Sequence, residues 1–248
     1  MIFPIGDDNS DRTTTPYVNY IFIAINIFVF VLLQGLGSNT EFTYSFSTVP
    51  EEIITGEDLV TDSETVTDPV TGDRYLMPGL EPTPFFVYIT LLTSMFMHGG
   101  MLHLFGNMLY LWIFGDNLEH ALGHIRYFLF YMVCGVIASL AHVAASVFMD
   151  ANLLIPSLGA SGAISGVLGG YILLFPKRKV RAILVRSVVE IPAFVALGIW
   201  IVFQLISGFL SAGQEGGGVA YGAHIGGFFA GLILVKFFTI GRKNVTPI

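Results

Sequence analysis

Two polar residues stand within apolar stretches of the chain, and their types are those of hydrolytic chemistry. Ser161 lies between glycines, in the stretch that runs from Gly159 to Gly162, at the start of an apolar run. His224 lies near the start of another apolar run. A serine hydroxyl is a weak nucleophile until a neighbouring base accepts its proton, and histidine can be that base. The two residues predict catalysis by a Ser–His dyad, provided that the fold brings them together.

A second pair of polar residues could support the same chemistry. His103 and Asn107 are four residues apart, so they share one face of a helix. Acyl transfer needs hydrogen-bond donors for the oxyanion of the tetrahedral intermediate. The backbone N–H of Ser161, at a helix N-terminus, is one candidate donor, and the side chains of His103 and Asn107 are two more. No acidic residue is predicted at the same depth, which favours a dyad over a triad.

The composition says what kind of protein must position these residues. Of the 248 residues, 54% are hydrophobic and only 12% are charged, whereas soluble domains carry about 25% charged residues. The mean hydropathy is +0.73. The single cysteine, Cys134, excludes an intramolecular disulfide bond. The N-terminal residues lack the basic region and cleavage site of a signal peptide, so we expect the first apolar run to be retained. These features indicate an integral membrane protein.

Six apolar runs predict an all-α bundle of six transmembrane helices, since about 20 residues cross a bilayer. The membrane domain would cover residues 17–238, with an N-terminal tail at 1–16 and a C-terminal tail at 239–248. The six runs are residues 17–36, 101–115, 125–149, 161–175, 182–210 and 219–238.

The basic residues predict the orientation. With a cytoplasmic N-terminus, ten of the eleven Lys and Arg residues are inside and only Arg74 is outside, as the positive-inside rule requires. Both termini would then be cytoplasmic, the site would open toward the outer side, and the plasma (inner) membrane is the expected location. The inside residues are Arg12, Arg126, Lys177, Arg178, Lys179, Arg181, Arg186, Lys236, Arg242 and Lys243.

The first outer loop, residues 37–84, is long and acidic. It holds ten Asp or Glu residues against one Arg, and residues 68–73 form a turn-like sequence. This composition is typical of a partly ordered hairpin or a flexible flap. The loop could be a lid that faces the substrate, or a solvated loop without special purpose, and both readings stay open.

Helix length predicts that the polar residues converge. The run 161–175 is about 22 Å long as a helix, too short for a hydrocarbon core of about 30 Å. With its basic end at the inner surface, Ser161 lies below the outer surface, and residues 151–160 must form a re-entrant segment of irregular backbone. His224, five residues into the sixth run, lies about 8 Å deep. His103 and Asn107 lie near the outer end of the second run.

Glycines recur every four residues beside both members of the dyad. This small-xxx-small pattern lets two helices approach closely. It has a plain reading as helix packing, and here the same packing could bring Ser161 within reach of His224. The glycines concerned are Gly162, Gly166 and Gly170 on the fourth run and Gly227 and Gly231 on the sixth.

Other functions find weaker support. His120 and His124 are spaced as zinc ligands on a helix, but no H-E-x-x-H motif is present and both fall near the inner side. We therefore expect no metal, and no cofactor or nucleic acid either. A transporter would need charges within the membrane, for which Glu190 is a weak candidate. His98 is expected to be a structural hydrogen-bonding residue at the mouth of the site.

These motifs together resemble the rhomboid family of intramembrane serine proteases, over about residues 92–231. They are His103-x-x-x-Asn107, Gly159-Ala160-Ser161-Gly162 and Ala223-His224-x-x-Gly227-x-x-x-Gly231.

The resemblance implies Ser161 as nucleophile, His224 as base, and His103 with Asn107 at the oxyanion. It implies hydrolysis of peptide bonds in or near the transmembrane segments of membrane-protein substrates within the lipid bilayer, with the fifth helix or the cap after it as a gate. Many members have a tyrosine that stacks on the base where this chain has Ser165. An inactive rhomboid-like protein that binds membrane clients is the alternative, against which the presence of both dyad residues argues. The sequence assigns no oligomeric state.

Overall fold

The computed structural model describes residues 2–67, 72, 74–185, 187–210 and 220–242. This part of the chain is mostly helical, with two small β-sheets. The helices are α1 Tyr17–Phe28, α2 Thr40–Ser45, α3 Pro50–Thr55, α4 Thr90–Thr93, α5 Met101–Leu122, α6 His124–Phe148, α7 Ser161–Leu174, α8 Ala193–Leu210 and α9 Tyr221–Phe238, and the strands are β1 Ile2–Asp7, β2 Glu64–Thr67, β3 Arg74–Met77, β4 Lys179–Leu184 and β5 Ser187–Pro192.

Apart from α8, the long helices begin within two residues of the starts of the apolar runs. Helix α1 continues as a π-helical turn over Val29–Leu33, and α5 extends seven residues beyond the predicted end of its run at residue 115. Helix α7 ends at Leu174 and is short, as its run predicts. Residue 219, where the sixth run was expected to begin, and the basic residues Arg186 and Lys243 lie outside the described residues.

Three helices of the described chain are long and apolar enough to cross a membrane: α6, α8 and α9. Residues Val87–Phe96 and Met101–Leu122 make a fourth apolar unit that is bent by 79° at the break between them. Two further apolar helical segments, Tyr17–Leu33 and Ser161–Leu174, are shorter than these spans. The lengths thus identify three or four spans, and the six-span bundle stays a prediction.

Helix α1 is held against α5 by buried polar contacts at its N-terminal end. The carboxylate of Glu119 accepts hydrogen bonds from the backbone N–H groups of Val18 (3.0 Å) and Asn19 (2.7 Å). The first N–H groups of a helix lack partners within it, so a carboxylate there is stabilising. The Tyr127 hydroxyl donates to the Asn19 side chain at 2.7 Å. Next to these contacts, the rings of Phe22 and Tyr131 stack 4.1 Å apart in the main core.

The prediction of one helix over residues 182–210 was wrong in its first part. Residues Lys179–Leu184 and Ser187–Pro192 form an antiparallel hairpin, and helix α8 begins only at Ala193. Val180 and Ala182 are buried while their neighbours are exposed, which is the two-residue period of a strand. An ion pair joins the two strands diagonally: Lys179 Nζ lies 3.0 Å from a carboxylate oxygen of Glu190. This polar, alternating sequence suits a sheet, and Pro192, which lacks an N–H, suits the residue before a helix.

The N-terminal segment, predicted to be a tail, adds a third strand to this hairpin. Strand β1 pairs with β4 in antiparallel register, giving the order β1-β4-β5. The fold is therefore mostly helical and not all-α. At the end of β1, buried Asp7 accepts hydrogen bonds from the Tyr171 hydroxyl and from Asn117 Nδ2 (2.7 Å). These hydrogen bonds hold the N-terminal segment against the C-terminal parts of α5 and α7.

The first loop contains a hairpin, one of the two arrangements that its composition predicts, and also two short helices. It contains α2, α3 and the hairpin of β2 with β3. Of the predicted turn at 68–73, only residue 72 lies within the described part. Residues 151–160 form no helix or strand, as expected for irregular backbone. The segment is held to the first loop by a pair of backbone hydrogen bonds between Thr48 and Ser157 (3.0 and 2.8 Å).

Candidate active site

Ser161 and His224 are in hydrogen-bonding contact. Ser161 is the first residue of α7, and His224 lies in the first turn of α9. Ser161 Oγ and His224 Nε2 are 2.8 Å apart, well inside the range for a hydroxyl that donates to a ring nitrogen. Such a contact gives a serine nucleophile the base that it needs.

The glycines of α7 and α9 explain how two backbones can bring these side chains so close. A Cβ atom on Gly227 would lie 2.1 Å from the carbonyl oxygen of Gly162, and one on Gly231 would lie 1.9 Å from that of Gly166. Both distances are far inside van der Waals contact, so only glycine fits where the helices meet. Gly170, by contrast, faces the side chains of Phe130, Leu118 and Val235.

His224 has a second partner that the sequence analysis missed. Its Nδ1 atom lies 2.8 Å from Gln204 Oε1 on α8. The ring of Trp200, one turn earlier on α8, lies 6.1 Å from the His224 ring. The available signal in the sequence was an amide side chain within the apolar run 193–210. Ser165, where the resemblance led us to look for an aromatic ring, donates instead to the backbone carbonyl of Ser161 at 2.6 Å.

His103 lies beside the backbone just before Ser161. Gly159 has a φ of +133°, in the region that favours glycine, and a Cβ there would lie 2.9 Å from His103 Cε1. The backbone N–H of Gly99 donates to His103 Nδ1 at 3.3 Å. Gly159 is thus required both by its backbone angle and by the approach of the His103 ring.

Asn107, one turn further along α5, is 8% exposed. Its Nδ2 atom is buried and has no hydrogen-bond partner among the described residues. A buried amide donor without a partner is costly and therefore uncommon. The Nδ2 group of Asn107 could therefore donate a hydrogen bond to a ligand on the helix face that Asn107 shares with His103.

A pocket opens beside Ser161. It is bordered by the segment before α7 and by parts of α6 and α9, and its lining includes hydroxyl and backbone groups. The serines of this lining are Ser94, Ser139, Ser157 and Ser161.

His98 makes its hydrogen bonds through its peptide group. Its backbone N–H donates to Gln34 Oε1 (2.9 Å), and its carbonyl accepts from Gln34 Nε2 (3.0 Å). Both ring nitrogens are buried without a hydrogen-bond partner among the described residues. The ring packs edge-on against that of His103, 5.1 Å away. The peptide group, and not the side chain, makes the structural hydrogen bonds.

The histidines of the zinc alternative are engaged elsewhere. His120 Nδ1 lies 2.8 Å from the Thr14 hydroxyl, and His124 Nδ1 contacts the carboxylate of Glu119. In the part of the chain that the structure describes, no three His, Cys, Asp or Glu residues are grouped so that they could hold a metal ion.

Comparison with known proteins places this architecture in a family. The model of the Rhomboid domain matches residues 86–240, more than half of the chain. Rhomboid protein 1, mitochondrial, of Saccharomyces cerevisiae is 35% identical over 147 residues, which are 58% of this chain and 40% of the relative. Rhomboid protease GluP of Bacillus subtilis is 29% identical over 237 residues, 94% of this chain and 38% of the relative. RHOMBOID-like protein 4 of Arabidopsis thaliana is 34% identical over 145 residues, 58% of this chain and 32% of the relative.

The similarities cover only part of each relative but include the whole candidate site. The chain spans between 32% and 40% of the length of the three curated relatives. The matched region contains α5 to α9 and every residue of the candidate site. With its apolar helices, the protein is an integral membrane protein, and it belongs to the rhomboid family.

Proposed function

We propose that the protein is an intramembrane serine endopeptidase, which hydrolyses peptide bonds in or near the transmembrane segments of membrane proteins. The observation that carries the proposal is the 2.8 Å contact between Ser161 Oγ and His224 Nε2. The relative from Bacillus subtilis, which matches nearly the whole chain, is named a rhomboid protease, and this supports the same activity here.

The first half of the reaction forms an acyl-enzyme. Ser161 Oγ attacks the scissile carbonyl carbon while His224 Nε2 takes the hydroxyl proton. The oxyanion of the tetrahedral intermediate receives hydrogen bonds from the backbone N–H of Ser161 at the start of α7. His103 and Asn107 add side-chain donors, and the unpartnered Nδ2 of Asn107 suits this role. The C–N bond then breaks, and the leaving amine takes the proton from His224.

The second half releases the product by hydrolysis. His224 takes a proton from a water molecule, which attacks the ester carbonyl, and Ser161 recovers its proton as the ester bond breaks. The hydroxyl groups of Ser94, Ser139 and Ser157 in the neighbouring pocket give such a water hydrogen-bond partners. No metal or cofactor takes part in these steps.

The proposal includes the arrangement in the membrane. The apolar segments of the described chain form six spans, with α7 preceded by a re-entrant segment at residues 151–160. The basic residues favour cytoplasmic termini and a site near the outer side. The short α7 supports this depth, since its serine end cannot reach the outer surface while its Lys- and Arg-rich end remains at the inner one.

A cleavage assay in proteoliposomes tests the proposal. The full chain would be incubated with a fluorescently labelled transmembrane substrate, beside Ser161→Ala and His224→Ala. Ser165→Ala is the matched control, because it makes the same change one turn further along α7. We expect cleavage by the native chain and by the control, and none above background by the two dyad variants. Cleavage that survives both dyad substitutions would exclude the dyad, and tight substrate binding without cleavage by any form would favour the inactive client-binding alternative.

A further inference from the structure

Gln204 is the one polar residue among the buried residues of α8. Its buried neighbours on this helix are small or aliphatic. A primary amide in such surroundings is costly unless it is hydrogen-bonded. Gln204 is 8% exposed, and its Oε1 atom meets His224 Nδ1 at 2.8 Å. The hydrogen bond to His224 therefore offsets the cost of burying the Gln204 amide.

The position of the Gln204 side chain is defined by contacts on both sides of it. Trp200, Gln204 and Gly208 are spaced four residues apart, so they form one stripe that faces α9. The ring of Trp200 lies 6.1 Å from those of His224 and Phe228. At the other end, a Cβ on Gly208 would lie 3.0 Å from that of Tyr221. These contacts hold Gln204 at the level of the His224 ring.

The bond decides which nitrogen of His224 carries the proton. A neutral imidazole has one N–H group and one bare nitrogen. An amide oxygen can only accept, so His224 Nδ1 must be the protonated nitrogen when it is bonded to Gln204 Oε1. Nε2 is then bare and faces Ser161 Oγ, as a base must.

We propose that Gln204 is a positioning residue that fixes the tautomer and the ring orientation of His224. This rests on the proposed function, in which His224 is the base. When Nε2 takes the serine proton, the imidazolium keeps its Nδ1–H bond to the amide oxygen. The amide remains neutral, no proton passes to it, and the proton on Nε2 leaves with the amine product. The third member of the site is thus an uncharged acceptor in place of a carboxylate.

A neutral acceptor has a measurable consequence for the pH dependence. Among the residues that the structure describes, the other titratable groups near His224 are His103 on α5, His142 on α6 and Tyr221 on its own helix. None of these groups is a carboxylic acid. A carboxylate introduced at position 204 would stabilise the imidazolium. We therefore expect Gln204→Glu to move the acid limb of the pH–rate profile upward by about one unit.

Kinetics of two substitutions in the full chain test the inference. Gln204→Met keeps the length of the side chain but removes the acceptor, and we expect kcat to fall by about 10- to 100-fold, as on loss of the partner that orients a metal-ligating histidine. KM should change little. Gln204→Glu keeps an acceptor, so it should retain most of the rate, with the shifted profile. Val202→Met is the matched control, since Val202 lies on the same helix and is 52% exposed.

Native kcat and an unshifted pH profile in both Gln204 variants would overturn the inference. If Gln204→Met does not fold, the pH profile of Gln204→Glu tests the inference alone, and an unshifted acid limb would overturn it.

A spectroscopic measurement separates this inference from the proposed function. Nitrogen-15 NMR of the histidine-labelled protein reports which ring nitrogen carries the proton, without any substrate. The His224 signal is assigned from its loss in His224→Ala among the six histidines. We expect the Nδ1–H form in the native chain and a mixture in Gln204→Met. An Nε2–H form in the native chain would overturn the role of Gln204 even if cleavage occurs. A native chain with the Nδ1–H form that cleaves nothing would contradict the protease and leave the tautomer assignment supported.

Discussion

Gly231 of α9 lies directly against the backbone of Gly166 of α7, so that a Cβ on Gly231 would sit 1.9 Å from the Gly166 carbonyl oxygen. One turn earlier the same relationship joins Gly227 to Gly162. Ser161 and His224 follow immediately beyond these contacts, toward the N-terminal ends of the two helices. The separation of the two side chains is therefore set by glycines that carry no chemistry themselves.

Gly231→Ala should destabilise the protein. The added methyl group meets backbone, which cannot rotate away, so α7 and α9 must separate at a cost of about 1–3 kcal/mol. The thermal midpoint of the detergent-solubilised protein should fall by roughly 2–4 °C for each kcal/mol. Gly198→Ala on α8 is the control, because a Cβ there has no atom within 4 Å. Equal midpoints for the two variants would mean that the close approach does not support the fold.

Asn107→Ala should reduce the rate of cleavage without abolishing it. Loss of one oxyanion donor typically costs about 10²- to 10³-fold in kcat, which leaves activity above that of Ser161→Ala. Kinetics of the labelled transmembrane substrate measure the difference. Gly106→Ala is the control on the adjacent residue, whose Cβ would meet nothing within 4 Å. A native rate in Asn107→Ala would remove Asn107 from the oxyanion site.

The N-terminal strand should make stability depend on pH through Asp7. Burial raises the pKa of Asp7 to about 7, although the hydrogen bond from Tyr171 acts to lower it. The folded protein therefore binds more protons than the unfolded chain between about pH 4 and pH 7. The stabilisation by the protonated form is complete below about pH 4 and is lost as the pH rises through 7, at up to about 1.4 kcal/mol per pH unit.

Asp7→Asn, which is neutral at every pH, should remove this dependence. Thermal midpoints between pH 5 and pH 8 should show the native protein losing stability relative to Asp7→Asn as the pH rises. Asp8→Asn is the control, because hydrogen bonds from Ser10 lower the pKa of the exposed Asp8. Its difference from the native protein should then be flat over this range. A flat difference for Asp7→Asn as well would show that the strand does not bury an ionisable carboxyl group.

The orientation of the first loop can be tested with trypsin. Arg74 is the one Lys or Arg residue of residues 37–84, and it is exposed on strand β3. Added to intact cells that carry the protein, trypsin should cut after Arg74, and Arg74→Gln should abolish this cut. A cut that appears only after the cells are opened would reverse the predicted topology.

The elements that depend on local pattern were predictable from the sequence. Helix α7 could be delimited because Ser161 begins its apolar run and basic residues follow its end. The pairing of Ser161 with His224 followed from two glycine stripes, since a repeat of four residues places them on one helix face.

The parts that depend on distant pairing were not predictable in the same way. Strand β1 forms because residues near the N-terminus meet Lys179–Leu184, and no local pattern in residues 1–16 shows that partner. The apolar content of residues 182–192 favoured a helix, although its alternation suits a strand. Gln204 was missed for a related reason: its role exists only because α8 packs against α9.

Covalent labelling of Ser161 is the most direct test of the dyad. A fluorophosphonate probe would be added to the full chain in detergent, and the modified residue identified by mass spectrometry in the native protein, His224→Ala and Ser165→Ala. We expect the adduct on Ser161 in the native protein and in Ser165→Ala, formed at least about 100-fold more slowly in His224→Ala, because general base catalysis is lost. No adduct on native Ser161, or equally fast labelling without His224, would contradict a nucleophile activated by that histidine.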